Sequence, residues 1–238
     1  MKNGWIRFVL TGVVLVAGAA QANIITNPGG LSTAINANSL TMEEEVGNLS
    51  LAAFNALSQR YAITFETADG YPAPDAGNPA SRVDRVELTG GYGQRIDFAS
   101  TGYRLTSGFR PTGGSVDLVL QAGHTLTVTI TNAVQGVGFT LNRVTGAAIT
   151  VQLFSDLGAT SQIGSDYSVA VNTGAGLSER SFFGYYDGSA SIQALKIIGT
   201  GAQQHSIDDL NVAVIPEPTS LAVWLLGAAL LLRVIRRR

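Results

Sequence analysis

The sequence of 238 residues predicts a mainly β protein, a two-sheet antiparallel jelly-roll-like sandwich preceded by one amphipathic helix. An N-terminal signal helix and a C-terminal transmembrane helix are expected to flank it. Three observations lead to this prediction. From Tyr61 to Val214, short β-branched and aromatic runs alternate with turns rich in Gly, Asn and Asp. Both terminal segments contain apolar stretches. The chain has no cysteine, so its core must stabilise the fold without disulfides.

The first 22 residues have the order of a signal peptide. Lys2 and Arg7 precede an apolar stretch of about 13 residues that ends at Ala20. Small residues at Ala20 and Ala22 suit signal peptidase, so we expect cleavage after Ala22. The alternative is an uncleaved anchor, but about 13 residues of helix span only roughly 20 Å, less than a hydrocarbon core of roughly 30 Å.

Residues 23–60 are predicted to form a loose leader followed by the amphipathic helix. Thr41 and Glu44 have the spacing of a capping box, with Thr41 as the N-cap. The spacing of Val46, Leu49 and Ala53 then predicts a helix from Met42 to Gln59 with one buried stripe.

Residues 61–214 are predicted to form the sandwich domain. Its clearest strand runs from Thr125 to Thr131, where threonines alternate with Leu126, Val128 and Ile130, so that one face meets the core and the other meets water. Such runs predict twelve strands, which point to two antiparallel sheets. They are 61–66, 83–88, 94–98, 103–106, 116–120, 125–131, 138–142, 149–154, 166–171, 181–185, 192–198 and 206–212.

Residues 215–238 combine two prolines, an apolar helix and a basic end. Pro216 and Pro218 flank Glu217 and separate the domain from a helix predicted over 219–235, about 17 residues, the lower limit for crossing a bilayer. The positive-inside rule keeps the basic end in the cytoplasm and the domain outside. The charges of this tail are Arg233, Arg236, Arg237 and Arg238.

This order of features resembles the PEP-CTERM sorting signal of exported proteins in Gram-negative bacteria, over Pro216 to Arg238. The resemblance implies recognition by an exosortase, a membrane cysteine protease. It also implies a transient stay in the inner membrane before the protein reaches the cell surface or the extracellular space. A plain tail anchor is the alternative, although an anchor has no need of the Pro-Glu-Pro motif.

The charge balance of the exported part limits its partners. Of 15 basic and 17 acidic residues in the chain, 6 basic and 1 acidic lie in residues 1–22 and 216–238, which leaves 9 against 16. This acidic domain has no basic stripe, so it is not expected to bind nucleic acid. Its acidity leaves room for a divalent cation.

Carboxylates near the two ends of the sandwich domain suggest a calcium site. Glu66 is the last residue of the first predicted strand, and Asp208 lies in the last predicted strand. A jelly roll commonly brings these two strands side by side. The Phe65-Glu66 and Ile207-Asp208-Asp209 segments resemble those of lectin-like jelly-roll domains, including MAM-type modules, in which such positions bind calcium. Hard oxygen ligands suit Ca²⁺, with backbone carbonyls completing the shell. The alternative is that these acidic residues only end strands or cap turns.

Enzymatic chemistry finds weaker support, and we expect no enzyme. His205 and Asp208 belong to a conceivable hydrolase triad, but no nucleophile elbow accompanies them, and His124 is the only other histidine of the exported part. A glycosidase would need two carboxylates at a fixed separation. The available acidic residues are Asp69, Asp75, Glu87 and Asp97.

Tyrosines near Gly-rich and Asp-rich loops suggest a carbohydrate-binding module as the alternative function, because aromatic rings stack on sugars. They are Tyr71, Tyr92, Tyr103, Tyr185 and Tyr186. The sequence therefore predicts an exported surface or matrix protein with a structural or adhesive role, with polysaccharide as a further partner.

Overall fold

The computed structural model describes residues 24–26, 42–57, 60–65, 71–74, 81–88, 94–100, 102–107, 116–142, 148–169, 180–189, 191–200 and 204–213. The signal helix predicted within residues 1–22 and the transmembrane helix predicted over 219–235 lie outside these ranges. Within them, no helix combines the length and the apolar character needed to cross a bilayer.

The described residues form one short helix, α1 (Leu51–Asn55), and fourteen strands. The strands are β1 Ile24–Thr26, β2 Met42–Gly47, β3 Arg60–Ile63, β4 Arg85–Leu88, β5 Gln94–Ala99, β6 Tyr103–Ser107, β7 Val116–Leu120, β8 Thr125–Val134, β9 Gly136–Asn142, β10 Ile149–Phe154, β11 Gln162–Val169, β12 Arg180–Tyr186, β13 Ile192–Gly199 and β14 His205–Ala213. The first sheet has the order β1-β4-β5-β8-β13-β10-β11, and the second has the order β2-β12-β9-β14-β7-β6, with β3 also paired to β14.

The prediction of a mainly β, two-sheet protein is confirmed. Each of the twelve predicted strands overlaps an observed one, and β7 and β10 have the predicted bounds. Two further strands, β1 and β2, come from the segment that was expected to be a leader and a helix. They pair in parallel with β4 and β12, so the sheets are not antiparallel throughout.

The predicted helix from Met42 to Gln59 is wrong. Residues 42–47 form β2, whose backbone pairs with β12, and the helix that follows has five residues. Its N-cap is Ser50, whose Oγ accepts a hydrogen bond from Ala53 N at 3.3 Å. Glu45 Oε1 accepts from Leu51 N at 3.2 Å. Pairing with a distant strand therefore overrides the local helix pattern.

Helix α1 covers the second sheet on the side away from the other sheet. Phe54 packs edge-on against Phe182 with ring centroids 5.8 Å apart. It also lies over Gly138, where an added Cβ would stand 3.0 Å from Phe54 Cζ. Arg60 closes the helix, because its Nη1 donates to Asn55 Oδ1 at 2.9 Å and its Nε to Leu57 O at 3.2 Å. The small residue in β9 thus makes room for the helix.

The hydrophobic core lies between the two sheets. Residues 81–84 pass from one sheet to the other along one side of this core. Leu105 N in β6 donates to Ser81 O at 2.7 Å, and Phe98 N in β5 donates to Asp84 O at 2.9 Å. The largest fully buried side chains of this core are Phe65, Phe139, Phe183, Ile63, Ile96, Leu105, Leu118, Leu120, Leu126 and Ile130.

Candidate functional site

The strand neighbourhood predicted for the calcium site is present. β3 and β14 pair antiparallel, with Leu210 opposite Ile63, so the first predicted strand of the domain lies beside the last. Asp208 is fully buried in β14, and its Oδ1 accepts from Asp209 N at 2.8 Å. Glu66 follows β3 but lies outside the described residues. The pairing of Glu66 with Asp208 around an ion therefore stays a prediction.

β14 contains a bulge at the point where this site was predicted. Its register against β9 shifts between Asp208 and Asn211, and Asp209 adopts the left-handed conformation with φ of 50°. Side chains donate hydrogen bonds to the backbone carbonyls at the bulge. Asn211 Nδ2 donates to Asp209 O at 2.8 Å, and Thr140 Oγ1 donates to Asp208 O at 3.2 Å. The Asp-Asp pair in the sequence thus has a structural role of its own.

A buried polar layer surrounds the bulge on the face of the second sheet that points away from the core. Asp208 and Asn211 lie opposite Thr140 and Gly138, which alternate along β9 with the core residues. Asp117 in β7 belongs to the same layer, and its Oδ2 accepts from Ser206 Oγ at 2.7 Å. Sequence analysis missed this layer, although Asp117 already interrupts an apolar strand. The fully buried members are Asp117, Thr140, Ser206, Asp208 and Asn211.

The buried polar layer supplies only some of the oxygen ligands that a bound cation would need. Among the described residues, Asn211 Oδ1 is buried and accepts no hydrogen bond. No three His, Asp or Glu side chains within the described ranges come together closely enough to hold a metal ion. A calcium ion here would therefore need Glu66 or backbone carbonyls in addition to Asp208 and Asn211.

The histidines do not form the catalytic arrangement weighed from the sequence. His205 lies on the same face of β14 as the core residue Ile207, whereas Asp208 is on the opposite face. The imidazole is buried against Gly199, where an added Cβ would stand 2.9 Å from His205 Cδ2. Burial of the imidazole lowers the pKa of His205. His205 is thus a packed core residue.

Carboxylates considered for glycoside hydrolysis are held in ion pairs where they are described. Asp97 Oδ1 lies 2.6 Å from Arg85 Nε, and Asp97 Oδ2 lies 2.7 Å from Arg95 Nε. Glu87 lies 3.5 Å from Arg85 Nη1. These contacts neutralise the two carboxylates on the outer face of the first sheet. The other two candidates, Asp69 and Asp75, lie outside the described residues.

The five tyrosines proposed for sugar stacking occupy different environments. Tyr71 and Tyr103 are buried, and the Tyr103 hydroxyl donates to Val83 O. Burial is also the main cause that raises the pKa of Tyr103. Tyr185 and Tyr186 are half-buried at the end of β12, and as consecutive strand residues they face opposite sides of the sheet. Tyr92 lies outside the described residues.

A half-buried tyrosine that sequence analysis missed stands beside Tyr185. Tyr167 of β11 approaches Tyr185 of β12 with ring centroids 5.9 Å apart and planes at 59°. It also contacts Phe183 edge-on, with centroids 5.5 Å apart. Burial and the neighbouring Tyr185 raise the pKa of Tyr167. We call Tyr167 and Tyr185 the tyrosine pair, which bridges the two sheets along one side of the sandwich.

The tyrosine pair has the properties of a small stacking surface. Both residues are half-buried and pack against the core, and Phe183 contacts Tyr167 edge-on from within it, so only part of each side chain is open to a ligand. Phenol rings held at an angle offer apolar faces and two hydroxyls to a ligand. The pairing was not foreseeable from the sequence, because its members are on different sheets and 18 residues apart.

The predicted processing residues fall outside the described part of the chain. They are Ala20, Ala22, Pro216, Glu217, Pro218, Arg233, Arg236, Arg237 and Arg238. The last described residue before the Pro-Glu-Pro motif is Ala213, the end of β14.

No protein-family model matches the chain, and no curated protein matches it in sequence. The solved structures that the chain resembles include the following three. The K2 cleaved adhesin domain of Lys-gingipain is 10% identical with a TM-score of 0.41, covering 65% of this chain and 99% of that domain. TmCBM61, solved in complex with β-1,4-galactotriose, is 15% identical with a TM-score of 0.33, covering 52% of this chain and 90% of that one. The catalytic domain of a GH87 α-1,3-glucanase is 14% identical with a TM-score of 0.34, covering 51% of this chain and 27% of that one. At these TM-scores the similarities do not assign a function.

A structural role for His205 predicts a specific pH dependence of stability. Its folded-state pKa lies below the ordinary value, so its stabilising contribution is complete above a pH of about 6.5 and is lost as pH falls through the folded-state pKa. We expect His205→Leu to weaken the dependence of the free energy of unfolding on pH below about 6.5, measured by urea titration.

The control for this prediction is Ile207→Val, which changes the packing of a neighbouring core residue that does not titrate. It should retain the wild-type pH dependence. If His205→Leu and wild type lose stability in parallel as the pH falls, His205 is not the residue responsible.

Proposed function

We propose that the protein is an exported surface or extracellular-matrix protein of a Gram-negative bacterium, with a structural or adhesive role and no enzymatic activity. Its signal peptide delivers it across the inner membrane, its tail holds it there, and an exosortase processes it for release. The observation that carries this proposal is the order of Pro216-Glu217-Pro218, an apolar helix and arginines shortly after the last strand.

The described domain is compatible with this role. Its two sheets enclose a continuous core without any cysteine, which suits a protein that must stay folded outside the cell without disulfides. The acidic balance of the exported part favours solubility. We also propose that the two-sheet sandwich is a jelly roll.

Substitution of the Pro-Glu-Pro motif tests the sorting proposal. Pulse labelling in the native host, followed by fractionation, should show that Pro216→Ala with Glu217→Ala and Pro218→Ala remains in the inner membrane at full length. The wild-type chain should appear outside the cell in a shortened form. The reason is that the motif, and not the helix alone, is the proposed recognition element.

A matched control carries Thr125→Ala and Thr131→Ala at exposed positions of β8 and should be released like wild type. A wild-type chain that stays in the membrane at full length would favour the plain tail anchor. Release of the motif variant at the wild-type rate would exclude the motif as the recognition element.

The second candidate function is carbohydrate binding, and the tyrosine pair is the observation that favours it. Two partly exposed phenol rings, 5.9 Å apart, provide a surface on which a matrix polysaccharide can stack. We expect Tyr167→Ala and Tyr185→Ala each to weaken polysaccharide binding by roughly tenfold, or about 1.4 kcal/mol, in equilibrium binding to a panel of acidic and neutral polysaccharides.

Tyr186→Ala is the matched control, because Tyr186 faces the opposite side of β12. It should bind like wild type. If the wild-type protein binds no polysaccharide of the panel, only the structural role remains. If Tyr186→Ala weakens binding as much as Tyr185→Ala does, the binding site is not the tyrosine pair.

We also propose that Glu66 and Asp208 bind calcium. The adjacency of β3 and β14 and the buried Oδ1 of Asn211 support this proposal. A bound ion stabilises the folded state by mass action, by about 2.7 kcal/mol at a free concentration a hundred times Kd. Thermal unfolding should therefore occur at a higher temperature in excess Ca²⁺ than in chelator.

Glu66→Gln and Asp208→Asn should each abolish this difference, whereas Asp166→Asn, at an exposed position of β11, should preserve it. Two variants are needed because Asp208 also supports the bulge in β14. An unchanged melting temperature of the wild-type protein would rule out the calcium site.

A further inference from the structure

The last strand holds the chain firmly up to its final residue. Ala213 pairs with Gly136 of β9 on one side and with Arg60 of β3 on the other, and Ala213 O accepts from Gln135 N at 2.9 Å. Three residues then lead to Pro216 and six to Thr219, where the predicted membrane helix begins. At about 3.5 Å per residue, the distance from Ala213 is at most roughly 10 Å to Pro216 and roughly 21 Å to Thr219.

Strand register places several connections at the same end of the sandwich as Ala213. Gly136 is opposite both Ala213 and Tyr186, so the connection at 187–191 starts there. In the first sheet, Val134 is opposite Ile192, and Phe154 is opposite Ala194, so the turn at 155–161 is also at this end. We call this the Ala213 end.

The opposite end of the sandwich is where β14 begins. His205 lies opposite Leu120, after which the turn 121–124 leads to β8. Thr125 begins β8, opposite Ile198, and is exposed. We call this the His205 end.

Leu157 projects from the turn at 155–161 of the Ala213 end. It is 49% exposed, the one exposed large hydrophobic residue among the described positions. The turn that carries it is well ordered by hydrogen bonds. Asp156 Oδ1 accepts from Thr160 N at 3.0 Å and from Ser161 N at 2.6 Å, and Ser155 N donates to Ser161 O at 2.9 Å. The apolar side chain is thus held outward at a fixed position.

A cation lies beside this turn. Lys196 Nζ donates to Ala159 O at 3.2 Å and stands 4.7 Å from the centre of the Phe154 ring. Two acidic residues at this end, Asp156 and Asp187, accept hydrogen bonds from neutral donors of their own turns, which lower the pKa of both carboxyls and keep them charged. An apolar tip with a neighbouring lysine is the combination that suits the boundary between lipid headgroups and acyl chains.

We infer that the Ala213 end, with Leu157 at its tip, faces and touches the lipid bilayer while the tail holds the protein in the membrane. This rests on the proposed insertion of the tail. The headgroup layer adds roughly 5–7 Å beyond the hydrocarbon core on each side, so a linker of at most about 21 Å keeps this end next to the lipid. The His205 end then points away from the membrane.

Single cysteines test the orientation, because the chain has no cysteine of its own. Leu157→Cys and Gly188→Cys place a fluorophore at the Ala213 end, and Thr125→Cys places it at the His205 end. Gly188 accepts a side chain, since an added Cβ would have no atom nearer than Tyr186 Cε1 at 4.0 Å. The exported full chain with its tail is reconstituted into phosphatidylcholine vesicles that contain a lipid with a headgroup-attached nitroxide quencher.

We expect quenching of the labels at positions 157 and 188 to exceed that at position 125 at least twofold. Released protein, collected from the medium and mixed with the same vesicles, should lose this difference. Equal quenching at all three positions, in protein that floats with the vesicles, would overturn the orientation while leaving the tail insertion intact. Protein that does not float with the vesicles would refute the tail insertion and the inferred orientation together.

Discussion

The structure depends on the burial of one strand, β14, on both faces and along both edges. All nine of its residues are buried. One edge pairs with β9 along most of its length, and the other is shared by β7 and then by β3. Through β9 the strand supports β12 and β2, and through β7 it supports β6. Few substitutions in β14 can therefore remain local, because its residues lack access to water and its backbone groups depend on the neighbouring strands for hydrogen bonds.

The change of neighbour from β7 to β3 explains the unusual sequence of this strand. A strand that pairs with two partners in succession along one edge must adjust its register, and a bulge with a left-handed residue provides that adjustment. Aspartate tolerates this conformation better than most residues, which accounts for Asp209. Asp208 and Asn211 then supply hydrogen bonds to backbone groups that the bulge leaves outside the ladder. Part of the pattern that resembles a calcium motif is thus explained by backbone geometry, and a bound ion would act in addition to it.

The strands were predictable because their pattern is local, whereas the contacts that build the sites are not. Threonine and aliphatic residues alternate in β8 whatever its neighbours are, so its position follows from the sequence. The segment of Glu44 and Val46 fits a helix equally well, and only its parallel pairing with β12, more than 130 residues away, makes it a strand. The neighbourhood of β3 and β14 was predictable from general topology and is confirmed. The tyrosine pair was not, because it joins the edge strand β11 of one sheet to the inner strand β12 of the other, and no local pattern records that they meet.

The position of β14 also links the fold to the tail. Because the fully buried strand β14 is the last described strand before Pro216, a pull on the proposed tail would act directly on its pairs with β9 and β3. The chain cannot lengthen its linker without breaking these pairs, and breaking them would expose apolar residues such as Val212 and Leu210 to water. On the proposed sorting route, a processing enzyme in the membrane would therefore meet a short linker directly next to a folded domain. If the tail is inserted as we propose, the same short linker limits how far the domain can turn. The tethered protein would then have a defined membrane-facing end, with its opposite end directed away from the membrane.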